Sequence, residues 1–139
     1  GTSAAEIEVG GVSIGIFNSH PAGSQEAKLA HIEDLIAQTA SYEHVISVGD
    51  YNSRPSTAPY GKIADVLINS WADLYNNGIG ELHPTIGRSS IPGDGLIDMS
   101  IHIDHIFLTP NFTTLESYYV PSPESETDHP AHWSVVTWE

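Results

Sequence analysis

Apolar and polar positions divide the chain into stretches of period two and one long stretch of period 3.6. Residues 5–9 and 12–17 are β-rich runs separated by Gly10-Gly11, whose tolerance of positive φ suits a two-residue turn, and they predict a hairpin. Asn18-Ser19-His20-Pro21 ends its second strand. Over residues 24–40, Ala27, Leu29, Ile32, Leu35 and Ile36 form an apolar helical stripe, with Ser24 as N-cap and Glu26, Lys28, Glu33 and Asp34 toward water. The β-branched run 44–48 predicts a buried strand that leads straight into Gly49-Asp50-Tyr51-Asn52. Pro55 and Pro59 close that loop. A second helix is expected over residues 61–69, continuing into 71–75, and the Gly-, Pro-, Asn- and Ser-rich stretch 76–98 reads as a long loop. Residues 99–108 alternate, with His102, Asp104, Ile106 and Leu108 on one face and Ile101, Ile103, His105 and Phe107 on the other. Strands at 115–120 and 132–138, with a polar loop at 121–126 between them, complete an α/β pattern without repeats.

The 139 residues suit one domain, residues 1–139, and a hydrophobic share of 40% is enough for a core. With 4 Lys+Arg against 18 Asp+Glu the formal charge is −14. Lys28, Arg54, Lys62 and Arg88 are too few to neutralise a duplex backbone, so nonspecific nucleic-acid binding is not expected. The absence of cysteine excludes disulfides, a thiol nucleophile and thiolate zinc sites. No apolar run reaches the roughly 18 residues of a membrane helix, and the first residues do not have the form of a signal peptide. The acidic balance points to an extracytoplasmic setting. The chain opens on Gly1, so residues 1–3 read as a remnant and sequence upstream is expected.

Polar clusters sit at or near the ends of predicted strands: Asn18 to His20, Asp50 to Asn52, Asp104, and Asp128-His129. Strand ends on one side of a sheet converge, as binding sites on α/β sheets do. Two or more Asp with Asn make a hard-oxygen set that suits Mg2+ or Mn2+, and an adjacent Asp-His adds a base beside a metal ligand. On its own a Gly-Asp-x-Asn stretch is an ordinary turn. His31, His44, His83 and His132 belong to no motif and are read as surface or packing residues. His102 and His105 with His129 and His132 would suit a binuclear zinc hydrolase, but on a strand the first two point to opposite faces.

Gly49-Asp50-Tyr51-Asn52-Ser53 resembles the GDFN(S/A) motif of the endonuclease/exonuclease/phosphatase superfamily. Asn18-Ser19-His20 is similar to its strand-terminal N-x-H, Ile103 to Phe107 to its I/R-D-x-I-F/L strand, and Thr127-Asp128-His129 to its S/T-D-H, all in the family's order. The resemblance implies half of a four-layer α/β/β/α sandwich, one mostly antiparallel mixed sheet with flanking helices. It implies hydrolysis of a phosphodiester or phosphomonoester with a divalent metal. Asp128 would be the metal ligand, His129 the general base oriented by Asp104, Asp50 and Asn52 the holders of water or a scissile oxygen, and His20 a stabiliser of developing charge. Arg88, and secondarily Arg54, would grip one phosphate of a small phosphate ester or lipid headgroup, which the acidic composition favours over long nucleic acid. The family's metal-binding Glu and first-strand Asn have no counterpart, since Glu6 and Glu8 fit an ordinary strand. The chain is therefore expected to be a C-terminal portion that requires its N-terminal half or self-association. A non-catalytic binding or regulatory module on the same fold is the alternative, and metal affinity without turnover would mark it.

Overall fold

The computed structural model describes residues 1–76, 102–120 and 129–139. Strands β1 (Thr2–Val9) and β2 (Val12–Ser19) form the expected hairpin, with Gly10 and Gly11 at φ of 58° and 80°, the left-handed pair that a two-residue turn of this hand requires. Helix α1 (Gln25–Thr39) begins where the Ser24 hydroxyl accepts the Ala27 amide, and it buries Ile32, Leu35 and Thr39. Two details of its stripe differ from the sequence pattern. Ala27 is exposed, and Lys28 is half-buried, because its ammonium turns back to donate to the Asn52 carbonyl at 2.7 Å.

β3 (His44–Asp50) pairs parallel to β2 and antiparallel to β5 (Asp104–Leu108), giving a mixed sheet in the order β1-β2-β3-β5-β4. The helix expected over 61–69 is replaced by three elements: α2 (Ala58–Ala64), the two-residue strand β4 (Ile68–Asn69) and α3 (Ser70–Asn76). Asn69 makes the break, since its Oδ1 accepts the Trp71 and Ala72 amides and caps α3 while its backbone pairs with β5. β5 begins at Asp104, after His102 and Ile103, which lie outside the strand, and residues 77–101 and 121–128, the start of the alternating stretch included, lie outside the described residues. The last strands, β6 (Phe112–Val120) and β7 (Ala131–Trp138), form a separate antiparallel sheet with a bulge between Thr114 and Glu116.

Strand alternation divides the core in two. On the helix side Phe17, Val45, Tyr51 and Phe107 pack with Ile32, Leu35, Ile63 and Leu67. On the other side Ile14 and Leu108 pack with Phe112, supported by half-buried Ile16, Ile46, Ile106, Val136 and Trp138. His105 projects into the helix-side layer against Tyr51 and Tyr60. Its Nε2–H donates to the Ser53 carbonyl at 2.9 Å, so its Nδ1 accepts from Asn69 Nδ2 at 3.2 Å. Burial, against the opposing pull of the Ser53 carbonyl, lowers this imidazole to about 4.

Gly49 determines how closely β2 and β3 approach at their ends. Its φ is 145°, and a Cβ there would overlap the Ser19 carbonyl oxygen. Gly49→Ala should therefore destabilise the chain by about 3 kcal/mol or more in urea unfolding, and an unchanged midpoint would contradict this close approach. His105 predicts a pH dependence. Below its ordinary value of 6.5 the unfolded chain takes up a proton that the folded chain refuses until about pH 4. This contribution is complete above 6.5 and is lost as pH falls toward 4. Over that window the stability of His105→Gln should fall less steeply than that of the unmodified chain, by up to about one proton, and parallel curves would refute the assignment.

Candidate active site

The ends of β2, β3 and β5 come together on the face of the sheet opposite the helices. Antiparallel register places Asp50 opposite Asp104, and the Tyr51 amide donates to the Ile103 carbonyl at 2.8 Å, extending the pairing by one more bond. The last residues of β2 lie beside this pair because Gly49 lets the chain pass. His20 Nε2 then stands 3.6 Å from Asp50 Oδ2, with the imidazole 64% exposed. That is an ion-pair distance for a protonated ring and too long for a hydrogen bond.

His129, just before β7, completes the group. Its Nδ1 lies 2.8 Å from Asp104 Oδ2 and 4.0 Å from Asp50 Oδ2. A carboxylate only accepts, so Nδ1 carries the proton toward Asp104 and Nε2 is the basic nitrogen of the neutral ring. The family resemblance implied a carboxylate beside this imidazole, and the two side chains are in contact. A phenol supports the pair, since Tyr119 Oη donates to the Asp104 backbone carbonyl at 2.7 Å. Burial raises the Tyr119 phenol well above its ordinary value, so it remains a donor.

Asn52 has a structural role beside the one that the resemblance implied. It sits at φ 48°, its amide donates to Asp50 Oδ1 at 2.8 Å, and its Nδ2 donates to the Pro21 carbonyl at 2.9 Å. These bonds, with the Lys28 bond to its carbonyl, tie the loop after β3 to the end of β2 and to α1. One amide hydrogen and Oδ1 remain for a ligand. Arg54 is exposed two residues further along this loop. Asp128 and Arg88 lie outside the described residues.

Asp50, Asp104 and His129 each offer a ligand atom within 4.8 Å of the others, the grouping among the described residues that would hold a metal ion. Two carboxylates and one imidazole suit a hard divalent ion. With its Nδ1 committed to Asp104, His129 serves as ligand or as base, but not as both through the same atom. The binuclear zinc arrangement loses His105, because both of its nitrogens are engaged and its ring faces the helix side of the sheet.

Near the site are also Tyr119, which the sequence did not single out, and His132, which it read as a surface or packing residue. Tyr119 and His132 face each other across β6 and β7, their rings stacked at 4.1 Å, and His132 helps to line a pocket of about 330 Å³ that also borders Asp50 and Asp104. The available signal was a polar pair, His132 and Ser134, on the same face of β7 as Val136 and Trp138, the row that meets the core.

No family model matches the chain, and no curated protein matches it significantly. Solved structures do match. An endonuclease/exonuclease/phosphatase from Bacteroides vulgatus superposes with a TM-score of 0.71 at 16% identity, over 99% of this chain and 55% of its own. D. rerio TDP2 complexed with single-strand DNA product gives 0.65 at 15% identity, over 98% and 61%. A mannosyl-6-phosphatase of Bacteroides thetaiotaomicron gives 0.57 at 15% identity, over 91% and 51%. The chain thus spans about half to three-fifths of the length of these proteins. At such identities the shared property is the fold, and over that part of their length it is the α/β sandwich of the endonuclease/exonuclease/phosphatase proteins.

Proposed function

We propose that residues 1–139 are the C-terminal portion of a divalent-metal-dependent phosphoesterase that hydrolyses a small phosphodiester or phosphomonoester, a lipid headgroup included. The observation that carries this reading is the 2.8 Å contact of His129 with Asp104 beside Asp50, at the ends of paired strands. His129 Nε2 takes the proton of the attacking water while Asp104 holds the ring in the required tautomer and offsets the charge it gains. Asp50 orients the water, Asn52 contributes its remaining amide hydrogen to a scissile oxygen, and His20 meets charge developing on the phosphate or leaving group. Mg2+ or Mn2+ held by Asp50 and Asp104, with Asp128 as a further ligand, would polarise a phosphoryl oxygen. Arg88 and Arg54 are assigned to grip the substrate phosphate. An N-terminal half, or a second copy of the chain, would cover the sheet face on which Ile7 and Val9 are 43% and 42% exposed.

The neighbours' greater length favours one second reading, a metal-binding module that keeps the fold without turnover. Hydrolysis of bis(p-nitrophenyl) phosphate and p-nitrophenyl phosphate by the chain, with Mg2+ or Mn2+, separates the two. The phosphoesterase reading expects activity that EDTA abolishes and that His129→Ala lowers roughly 100-fold or more. Mn2+ binding with no turnover, both by the chain alone and with its N-terminal half restored, would establish the module instead, and absence of both binding and turnover in that restored form would overturn both readings.

A further inference from the structure

Ser70, Ser134, Ser117 and His132 form a hydrogen-bonded series running from the start of α3 through both strands of the small sheet to the pocket. Ser70 Oγ and Ser134 Oγ are 2.8 Å apart, Ser134 Oγ donates to Ser117 Oγ at 2.9 Å, and Ser117 Oγ lies 2.8 Å from His132 Nε2. Because the hydrogen of Ser134 is spent on Ser117, Ser70 must donate to Ser134. Ser117 has two acceptors within reach, Ser70 at 3.5 Å and His132 Nε2 at 2.8 Å, and the shorter contact favours a hydrogen directed to Nε2 over the other tautomer, in which the ring donates to Ser117. In that arrangement the series runs in one direction. It leaves the imidazole hydrogen on Nδ1, and that Nδ1 is buried with no hydrogen-bond partner among the described residues.

A buried donor without an acceptor costs roughly 1–3 kcal/mol, so its persistence requires an explanation. His132 forms part of the wall of the 330 Å³ pocket, together with Val48, Ile106 and the site carboxylates Asp50 and Asp104. The ring is held from two directions, by the serine series at Nε2 and by its stack on Tyr119. Burial, with His105 and His102 nearby, lowers it to about 3, which keeps it neutral and suits an accepting Nε2.

We propose that His132 is a substrate-binding residue of this site, its Nδ1–H presented by the serine series to donate to an oxygen of the phosphate ester bound beside Asp50 and Asp104. The proposal rests on the phosphoesterase reading and goes beyond it, since it assigns a ligand contact to a residue outside every motif of the chain. A neutral donor is suited to this wall. It engages an oxygen acceptor without competing with a metal ion for the carboxylates.

Nitrogen-15 NMR of the histidine-labelled full chain tests it, with Mg2+ and inorganic phosphate as the probe. The unliganded chain should show His132 as the Nδ1–H tautomer, and Ser117→Ala should shift it toward Nε2–H while the His129 signals remain in place. Phosphate with Mg2+ should move the His132 Nδ1–H resonance together with that of His129. His132→Asn, which keeps a donor near the δ position, should bind phosphate within about threefold of the unmodified chain, whereas His132→Phe should bind about tenfold more weakly. An Nε2–H tautomer in the unliganded chain would overturn the inference. Phosphate that moves His129 and leaves His132 in place would overturn it while leaving the phosphoesterase reading intact, and phosphate that moves neither would overturn both.

Discussion

Two carboxylates opposite one another on adjacent strands repel, and the rest of the site is organised around that repulsion. The register of β3 with β5 makes Asp50 and Asp104 partners. It is fixed by interior residues, because moving β5 by one position would exchange Phe107 and His105 with Ile106 and Asp104 between the two faces. The hydrophobic layers on both sides of the sheet therefore hold the acidic pair in place. Positive or donating groups gather at it: His129 on Asp104, the Asn52 amide on Asp50, and His20 at ion-pair distance. A divalent ion would answer the same electrostatic demand.

Second to this is the approach of β2 to β3. Glycine at position 49 lets the Ser19 carbonyl pass where a side chain would stand, and the close passage brings the loop after β2 to the loop after β3. Asn52 then links the two through the Pro21 carbonyl, and Lys28 secures the Asn52 carbonyl from α1. The Gly-Asp-x-Asn stretch is thus a structural joint as much as a chemical one. Its glycine and asparagine serve largely to hold the aspartate between them.

Sequence alone made legible those features that depend on neighbours in the chain. Gly10-Gly11 announced the hairpin, Ser24 the start of α1, and the β-branched run before Gly49 the central strand. Asp104 as the partner of His129 was legible only through the family resemblance, and the coordinates bring the two side chains together. The interval between α2 and α3 was not legible, because a two-residue strand has no period and its apolar spacing can pass for helix. Asn69 acts there through a cap and a long-range contact to His105 that no local pattern encodes. The stack of His132 on Tyr119 was hidden for a similar reason, since it depends on the register of β6 with β7.

The separation of 25 positions between Asp104 and His129 also has a kinetic meaning. The hairpin, α1 and β3 form from segments adjacent in the chain, and such contacts close at lower entropic cost than distant ones. The imidazole reaches its carboxylate only after the small sheet has paired. Asp50 and Asp104 are more than twice as far apart in the chain as Asp104 and His129, so by loop length the imidazole is expected to reach Asp104 before β3 and β5 bring the second carboxylate in, and that late pairing of two acids should be the step most sensitive to ions in solution.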